Sequence, residues 1–340
     1  MSKLKLGILF GGKSEEHEVS LMSARSVYNN ADQTKYEIYP IAVDKKGNWV
    51  NKAESRSIIE KDSIEEVPVQ TNPIKKGLNN FLKVDLDVIF PLIHGPYGED
   101  GKIQGFFDLL DIPYVGANVL GSAVGMDKGI MKKLFDYNNL RQTEFMTVRK
   151  YNDKKYEIIN DFIEKTGLPI FIKPANLGSS IGISKVSSQQ DIKEAVEIAF
   201  QYDSKIIIEK GIKAREIECS VLGKNKFKAS LPGEIIPSHD FYDYQSKYED
   251  EKTKLIIPAD LDDKTIKEVQ TTAIKAFEII EGEGLARVDF FLKDEKVYIN
   301  EINTIPGFTK YSMYPKLWEA SGISYPDLID DLVNIALEKN

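Results

Sequence analysis

A single cysteine stands in 340 residues, so no disulfide can form within the chain and a reducing compartment is expected. Cys219 itself, between Glu218 and Ser220 in a strand-like run, reads as packing rather than as a nucleophile. No apolar run approaches the roughly 18 residues of a membrane span. The lysine-bearing start, Met1 to Phe10, meets Gly11-Gly12-Lys13 where a signal peptide needs a longer apolar stretch. Positive charge is not in excess either: 45 Lys and Arg stand against 53 Asp and Glu, which disfavours nucleic acid as a partner. Internal repeats, low-complexity tracts and coiled-coil heptads are absent as well. What remains is a soluble, cytoplasmic protein with no membrane partner. Its 42% hydrophobic and 29% charged residues over this length predict two or three domains.

The chain begins as a doubly wound α/β sheet. Leu4 to Phe10 reads as a buried strand, Gly11-Gly12 as its turn and Val19 to Asn29 as a helix. Strands are expected at Tyr36 to Val43, Val84 to Ile93 and Ile112 to Val115, with a helix over Gln104 to Leu110; His94-Gly95 closes a strand where such sheets bind ligands. The polar stretch Asn51 to Asn80 reads as surface loops and short helices. A second unit follows, with a helix over Lys128 to Asn138, paired strands Ile170 to Lys173 and Ile181 to Val186, a helix over Asp191 to Tyr202 and a strand Lys205 to Glu209. The last unit starts at Glu216 to Leu222 and carries helices over Thr265 to Ile280 and Tyr325 to Leu337. The expected divisions are residues 1–122, 123–213 and 214–340.

Two runs near the end carry most of the chemistry. Arg287 to Leu292 and Glu301 to Thr309 both begin with period-two alternation, so Arg287 and Asp289 share one strand face, as do Glu301 and Asn303. With Asp294, Glu295 and Lys296 as a three-residue hairpin loop, Asp289 falls opposite Glu301 and Arg287 opposite Asn303, with Phe291 and Ile299 next to them. Unpaired buried charges cost several kcal/mol, so two carboxylates on a half-apolar face need a counter-charge. Oxygen donors, few in number, suit magnesium that leans on phosphates. An ion pair of Arg287 with Asp289 or Glu301 answers the same need, and these residues leave both readings open. In the Pro306-Gly307 turn, glycine lets backbone N–H groups approach a ligand, and beside Arg287 they can hold an oxyanion.

The loop Lys173 to Gly182 is rich in small residues between two expected strands and lacks the Walker spacing. By itself it reads first as a hairpin turn and second as a flap whose N–H groups close over phosphates, with Lys128 and Lys173 as point charges.

Taken together, six stretches resemble the ATP-grasp superfamily and, along essentially the whole chain, its D-alanine:D-alanine ligase family. They are Gly11 to Ser20, His94 to Gly101, Met126-Asp127-Lys128, Lys173 to Gly182, Phe241 to Tyr248, and Glu301 to Thr309 with Ser312 to Pro315. The resemblance implies an N-terminal doubly wound parallel-sheet domain followed by two α+β ATP-grasp subdomains, and a homodimer. It implies that Asp289, Glu301 and Asn303 hold two magnesium ions, replaceable by manganese, on ATP. Lys128, Lys173 and Ser180 would meet its phosphates, and Glu209, Glu216, Lys210, Ile212 and Phe291 its adenosine. Arg287 and the Gly307 amide would form the oxyanion site. Glu16, with His94 nearby and Ser179 and Tyr248 in its hydrogen-bond network, would hold the first D-alanine; Lys247, Ser312 and Met313 would hold the carboxylate of the second. Without the resemblance, His94 reads as a local loop hydrogen bond, Glu209 as a strand-end acid and the Phe241 to Tyr248 aromatics as a satellite cluster rather than a lid. His17 and His239 read as structural or exposed.

The implied reaction activates one carboxylate as an acyl phosphate and attacks it with an amine, with water kept out. Lactate- and serine-using relatives are the alternatives, and Tyr248 resembles the dipeptide-forming pattern. A phosphotransferase and a non-catalytic nucleotide-binding regulator are the readings from other classes. Gly125 and Gly129, where helix formers are expected, predict a loosened helix start.

Overall fold

The computed structural model describes residues 2–63, 66–69, 78–79, 81–237 and 253–338. The first layer runs β1 (Leu4–Gly11), α1 (His17–Asn30), β2 (Tyr36–Val43), α2 (Lys52–Glu60), β3 (Val88–Pro91) and α3 (Lys102–Asp108). Its three strands are parallel in the order β2-β1-β3, with Ile8 between Pro40 and Phe90. Leu6, Ile8 and Phe10 pack on one face, Leu9, Ile41 and Ile89 on the other. Burial on both faces explains why this strand reads as an unbroken apolar run. The expected strand at Val84 to Ile93 is shorter, and Ile112 to Val115 supplies one bridge, Tyr114 to Ile89.

The second layer comprises α4 (Val119–Met126), α5 (Lys128–Tyr137), β4 (Phe145–Arg149), α6 (Lys155–Thr166), β5 (Ile170–Pro174), β6 (Ser184–Val186), α7 (Ile192–Tyr202) and β7 (Lys205–Lys210). The strands are antiparallel in the order β4-β7-β5-β6. Asp127 ends α4 and caps α5, accepting the Ile130 N–H at 3.1 Å. Because β6 starts at Ser184 rather than Ile181, the flap loop is longer than expected. Ser179 and Ser180 have φ of 52° and 58°, a left-handed backbone that departs from regular strand.

The third layer holds β8 (Arg215–Gly223), β9 (Phe227–Ala229), β10 (Gly233–Ile236), β11 (Lys254–Ile256), α8 (Asp263–Ile279), β12 (Gly284–Lys293), β13 (Lys296–Asn303), α9 (Met313–Ala320) and α10 (Tyr325–Leu337). Its antiparallel sheet follows β11-β10-β8-β12-β13, with β9 on β8. Ile217, Cys219, Val288 and Phe290 turn to the core under Val269, Ala273 and Phe277 of α8, each large side chain contributing roughly 1.5–3 kcal/mol by burial. Burial pushes the Cys219 thiol up to about 12, in keeping with a packing role. The strand parity leaves Glu218, Arg287, Asp289, Glu301 and Asn303 on the opposite face.

The β12–β13 hairpin corrects the expected three-residue loop. Its turn is Asp294-Glu295, both at positive φ (48° and 59°), and Lys296 pairs with Lys293. A bulge that skips Asn300 then shifts the register by one, so Asp289 still faces Glu301 and Arg287 still faces Asn303, while Phe291 faces Tyr298.

The segment after β13 ties the third layer to the first. Phe308 is fully buried, 5.3 Å from the Phe90 ring and 5.5 Å from Tyr325. Its N–H donates to Ser23 Oγ at 3.1 Å. The final helix, α10, buries Leu328, Ile329, Leu332 and Val333 in the same core as Leu6 and Ile8.

Candidate active site

Two cavities, of about 1240 and 670 Å³, meet at Gly178, Ser179, Glu218, Arg287 and Glu301. The larger is lined by Glu16, His94, Asn303, Gly307, Ser312 and Met313. Lys128, Lys173, Ser180, Glu209, Lys210, Ile212, Glu216, Asp289 and Phe291 line the smaller. Every candidate residue within the described ranges therefore borders one of the two spaces. Lys247 and Tyr248, with the aromatic segment around them and His239, lie outside the described residues.

At the junction, three strands place acids in one row, Glu218 and Glu301 each opposite Asp289. Arg287 offsets part of the negative charge of this row. Its Nε and Nη2 donate to the two Asp289 oxygens at 2.7 Å each, and Nε lies 2.9 Å from Glu218 Oε2. Asn303 Nδ2 donates to Asp289 Oδ2 at 2.9 Å. Lys128, the first residue of α5, lies 3.2 Å from Glu301 Oε2 and donates to the Leu177 carbonyl at 3.0 Å, tying the flap to the row. A cation at the positive end of a helix dipole favours a facing anion, which Glu301 provides.

The donors available to a metal here are carboxylate and amide oxygens, a set that suits a hard divalent ion completing its shell with water and phosphate. Among the described residues no three or more His, Cys, Asp or Glu form a group that could by itself hold a metal ion. Arg287 and Lys128 occupy these carboxylates through ion pairs, so a metal would displace part of that contact.

In the larger cavity His94 is buried, with Nδ1–H donating to the Ile305 carbonyl at 2.9 Å and Nε2 3.0 Å from Ser23 Oγ. Burial pushes His94 towards its neutral form, but its contact with Glu99 and the charges of Glu16 and Glu99 outweigh this and hold its pKa above the ordinary 6.5. Burial also pushes the Glu99 carboxyl up, and Glu16 adds to the effect. Ser179 Oγ is buried and finds no hydrogen-bond partner among the described residues. Ser312 stands before α9, and its Oγ accepts the Thr309 N–H at 3.1 Å, so it leaves the first amides of α9 without a side-chain cap; Ser312 and Met313 border the cavity.

Beneath the smaller cavity Glu209 joins two lysines, Lys173 Nζ at 2.5 Å and Lys132 Nζ at 2.7 Å. Burial pushes the Glu209 carboxyl up, and the two ammonium charges more than reverse it, holding it down at about 2. Sequence reasoning missed Lys132, Glu218, Glu99 and Ser23 as parts of the site. The spacing of Lys132 from Lys128, one helical turn on the same face, and of Glu218 from Glu216, two residues along one strand, were the available signals.

The two glycines around Asp127 also receive an explanation. A Cβ on Gly129 would come 2.7 Å from Thr147 Cγ2, and one on Gly125 2.9 Å from Thr304 Cγ2, so close packing rather than a loosened helix start accounts for them.

Comparison with known proteins gives a consistent picture. The chain matches the family model of the D-ala D-ala ligase N-terminus over residues 5–117 and of the C-terminus over residues 134–334. It is 55% identical to a D-alanine–D-alanine ligase of Halothermothrix orenii, over 99% of each chain. Against that of Thermoanaerobacter pseudethanolicus it is 49% identical, over 100% of this chain and 98% of the relative. Among solved structures, the D-alanine-D-alanine ligase from Coxiella burnetii superposes with a TM-score of 0.84 at 36% identity, covering 99% of this chain and 96% of that one. The VanG D-Ala:D-Ser ligase from Enterococcus faecalis gives 0.83 at 34%, covering 98% and 100%.

Proposed function

Because the chain belongs to the D-alanine:D-alanine ligase family, we propose that it joins two D-alanine molecules into D-alanyl-D-alanine for peptidoglycan precursors, converting ATP to ADP and phosphate. The observation that carries this reading is Arg287, held by Asp289 and Glu218 at the junction of the two cavities, with Gly307 on the wall of the larger. ATP occupies the smaller cavity, with Lys128, Lys173 and Ser180 against its phosphates and Glu209, Lys210, Ile212, Glu216 and Phe291 around its adenosine. Two magnesium ions, or manganese, would be held by Asp289, Glu301 and Asn303, and would draw charge from the phosphate oxygens.

The first D-alanine lies in the larger cavity with its ammonium on Glu16, beside His94 and Glu99. Its carboxylate oxygen bonds to the γ-phosphorus while ADP leaves with the electrons of the broken P–O bond. The second D-alanine sets its carboxylate on Ser312 and the Met313 amide, where the N-terminal amides of a helix favour an anion. Its amine, having given up the ammonium proton, attacks the acyl-phosphate carbonyl, Arg287 with the Gly307 amide offsets the oxyanion charge, and phosphate departs with the electrons of the broken C–O bond, taking up the second proton of the nitrogen. We assign Ser179, Tyr248 and Lys247 to the same two subsites. The same reading proposes divisions near residues 122 and 213, a homodimer and a cytoplasmic location, where ATP is supplied. Among the described residues no helix is long and apolar enough to cross a membrane.

The test is ADP and phosphate release from ATP and magnesium with D-alanine alone, then with D-lactate or D-serine added, and products identified by mass. Equal amounts of ADP, phosphate and D-alanyl-D-alanine are expected. A mainly mixed product overturns the choice of second substrate, and ADP release without free phosphate points to a phosphotransferase instead.

A further inference from the structure

Lys132 lines neither cavity, and at 1% exposure it is a lysine with almost no access to water. Fully buried lysines are rare and costly unless paired, so the position demands a reason. It lies on α5 one turn after Lys128, with its own carbonyl accepting from Gln142 Nε2 at 2.8 Å. Its Nζ forms an ion pair with Glu209 Oε1 at 2.7 Å. The other carboxylate oxygen, Oε2, takes Lys173 at 2.5 Å.

Resting on the nucleotide site proposed above, we propose that Lys132 is a positioning residue that acts through Glu209. One carboxylate between two ammonium groups leaves the triad with a net positive charge. Lys132 satisfies half of Glu209, so Lys173, the lysine of the triad that borders the cavity, keeps positive charge for the nucleotide phosphates. Without Lys132 the pair Lys173–Glu209 is neutral overall, and Lys173 becomes the sole counter-ion of a buried carboxylate.

The test compares inhibition by ADP and by adenosine in wild type, Lys132→Met, Glu209→Gln and the double variant, with thermal unfolding of each. Lys132→Met should weaken ADP about tenfold and leave adenosine within about twofold, since Glu209 keeps its carboxylate beside the uncharged adenosine while the lost positive charge bears on the phosphates. In the Glu209→Gln background the same change should alter ADP by less than about threefold, because the carboxylate it acts through is gone. A lysine with a merely structural role lowers the unfolding midpoint in both backgrounds and leaves the ADP-to-adenosine ratio alone, which overturns the proposal. Equal weakening of both ligands, or unchanged ADP, overturns it too. Should Lys132→Met alone not fold, Glu209→Gln and the double variant still decide, because an ADP effect of removing Lys132 that persists there refutes action through Glu209. Failure of wild type to bind either ligand is a different result, which removes the nucleotide site itself.

Discussion

Replacing Arg287 with alanine tests the junction most directly. The guanidinium makes two charge-assisted hydrogen bonds to Asp289 at 2.7 Å and an ion pair to Glu218 at 2.9 Å, and its side chain is 17% exposed. Removing it strands Asp289 and Glu218 beside Glu301 in one row, and breaking a buried pair in this way costs about 3–5 kcal/mol. For a chain of this size that lowers the unfolding midpoint on the order of 5–10 °C. The catalytic loss is separate: taking away one oxyanion donor costs about 100-fold or more in turnover, roughly 2.7 kcal/mol. Turnover at saturating ATP and D-alanine, measured well below the variant's midpoint, isolates that term. Arg287→Lys, which keeps the charge but loses the bidentate fork, should recover stability more than turnover. A folded Arg287→Ala enzyme within about fivefold of wild type would refute the oxyanion role, whatever its stability.

Three further outcomes follow from other contacts. The folded Glu209 carboxyl, held at about 2 against an ordinary 4.5, gives stability that is present above pH 4.5 and lost as pH falls towards 2. The difference is worth on the order of 3 kcal/mol, so urea unfolding of Glu209→Gln should show a flatter acid slope than wild type, and an unchanged slope rejects the assignment. Gly129→Ala should destabilise by about 1 kcal/mol despite the better helix former, and Thr147→Ser, which removes the contacting methyl, should relieve it; a gain in Gly129→Ala alone contradicts the close approach. His94→Leu should raise KM for D-alanine about tenfold with ATP affinity unchanged, because Glu99, Ser23 and the Ile305 carbonyl lose their shared partner; an equal rise in KM for ATP would place His94 elsewhere.

Much of the site was legible because short-range periodicity puts it there. The period of two in β12 and β13 is enough to set Arg287 and Asp289 on one face and Glu301 and Asn303 on its partner. The hairpin turn itself was misread, since a two-residue Asp-Glu turn with both residues at positive φ lacks the usual glycine. The Asn300 bulge compensated by one residue and kept the functional pairs facing each other. Strand β4, helices α4 and α6 and the short extent of β6 were missed, although Ile159 and Ile163 of α6, buried one helical turn apart, were an available signal; α4 carries two glycines, and β4 is half-buried along most of its length.

By itself, then, the sequence determined the residue types, their parity along each strand and helix, and the order of motifs from which the family resemblance follows. Tertiary structure alone decided which distant groups share a charge. Glu209 lies 36 residues from Lys173 and more than 70 from Lys132, and no local pattern announces that their side chains meet. The same holds for Phe308, which settles between α1, β3 and α10 and so sets the loop bearing Gly307 against the first layer. Local propensity acts over a turn or a strand pair, whereas burial and Coulomb forces act between whatever surfaces the fold brings together, and only packing reveals those partners.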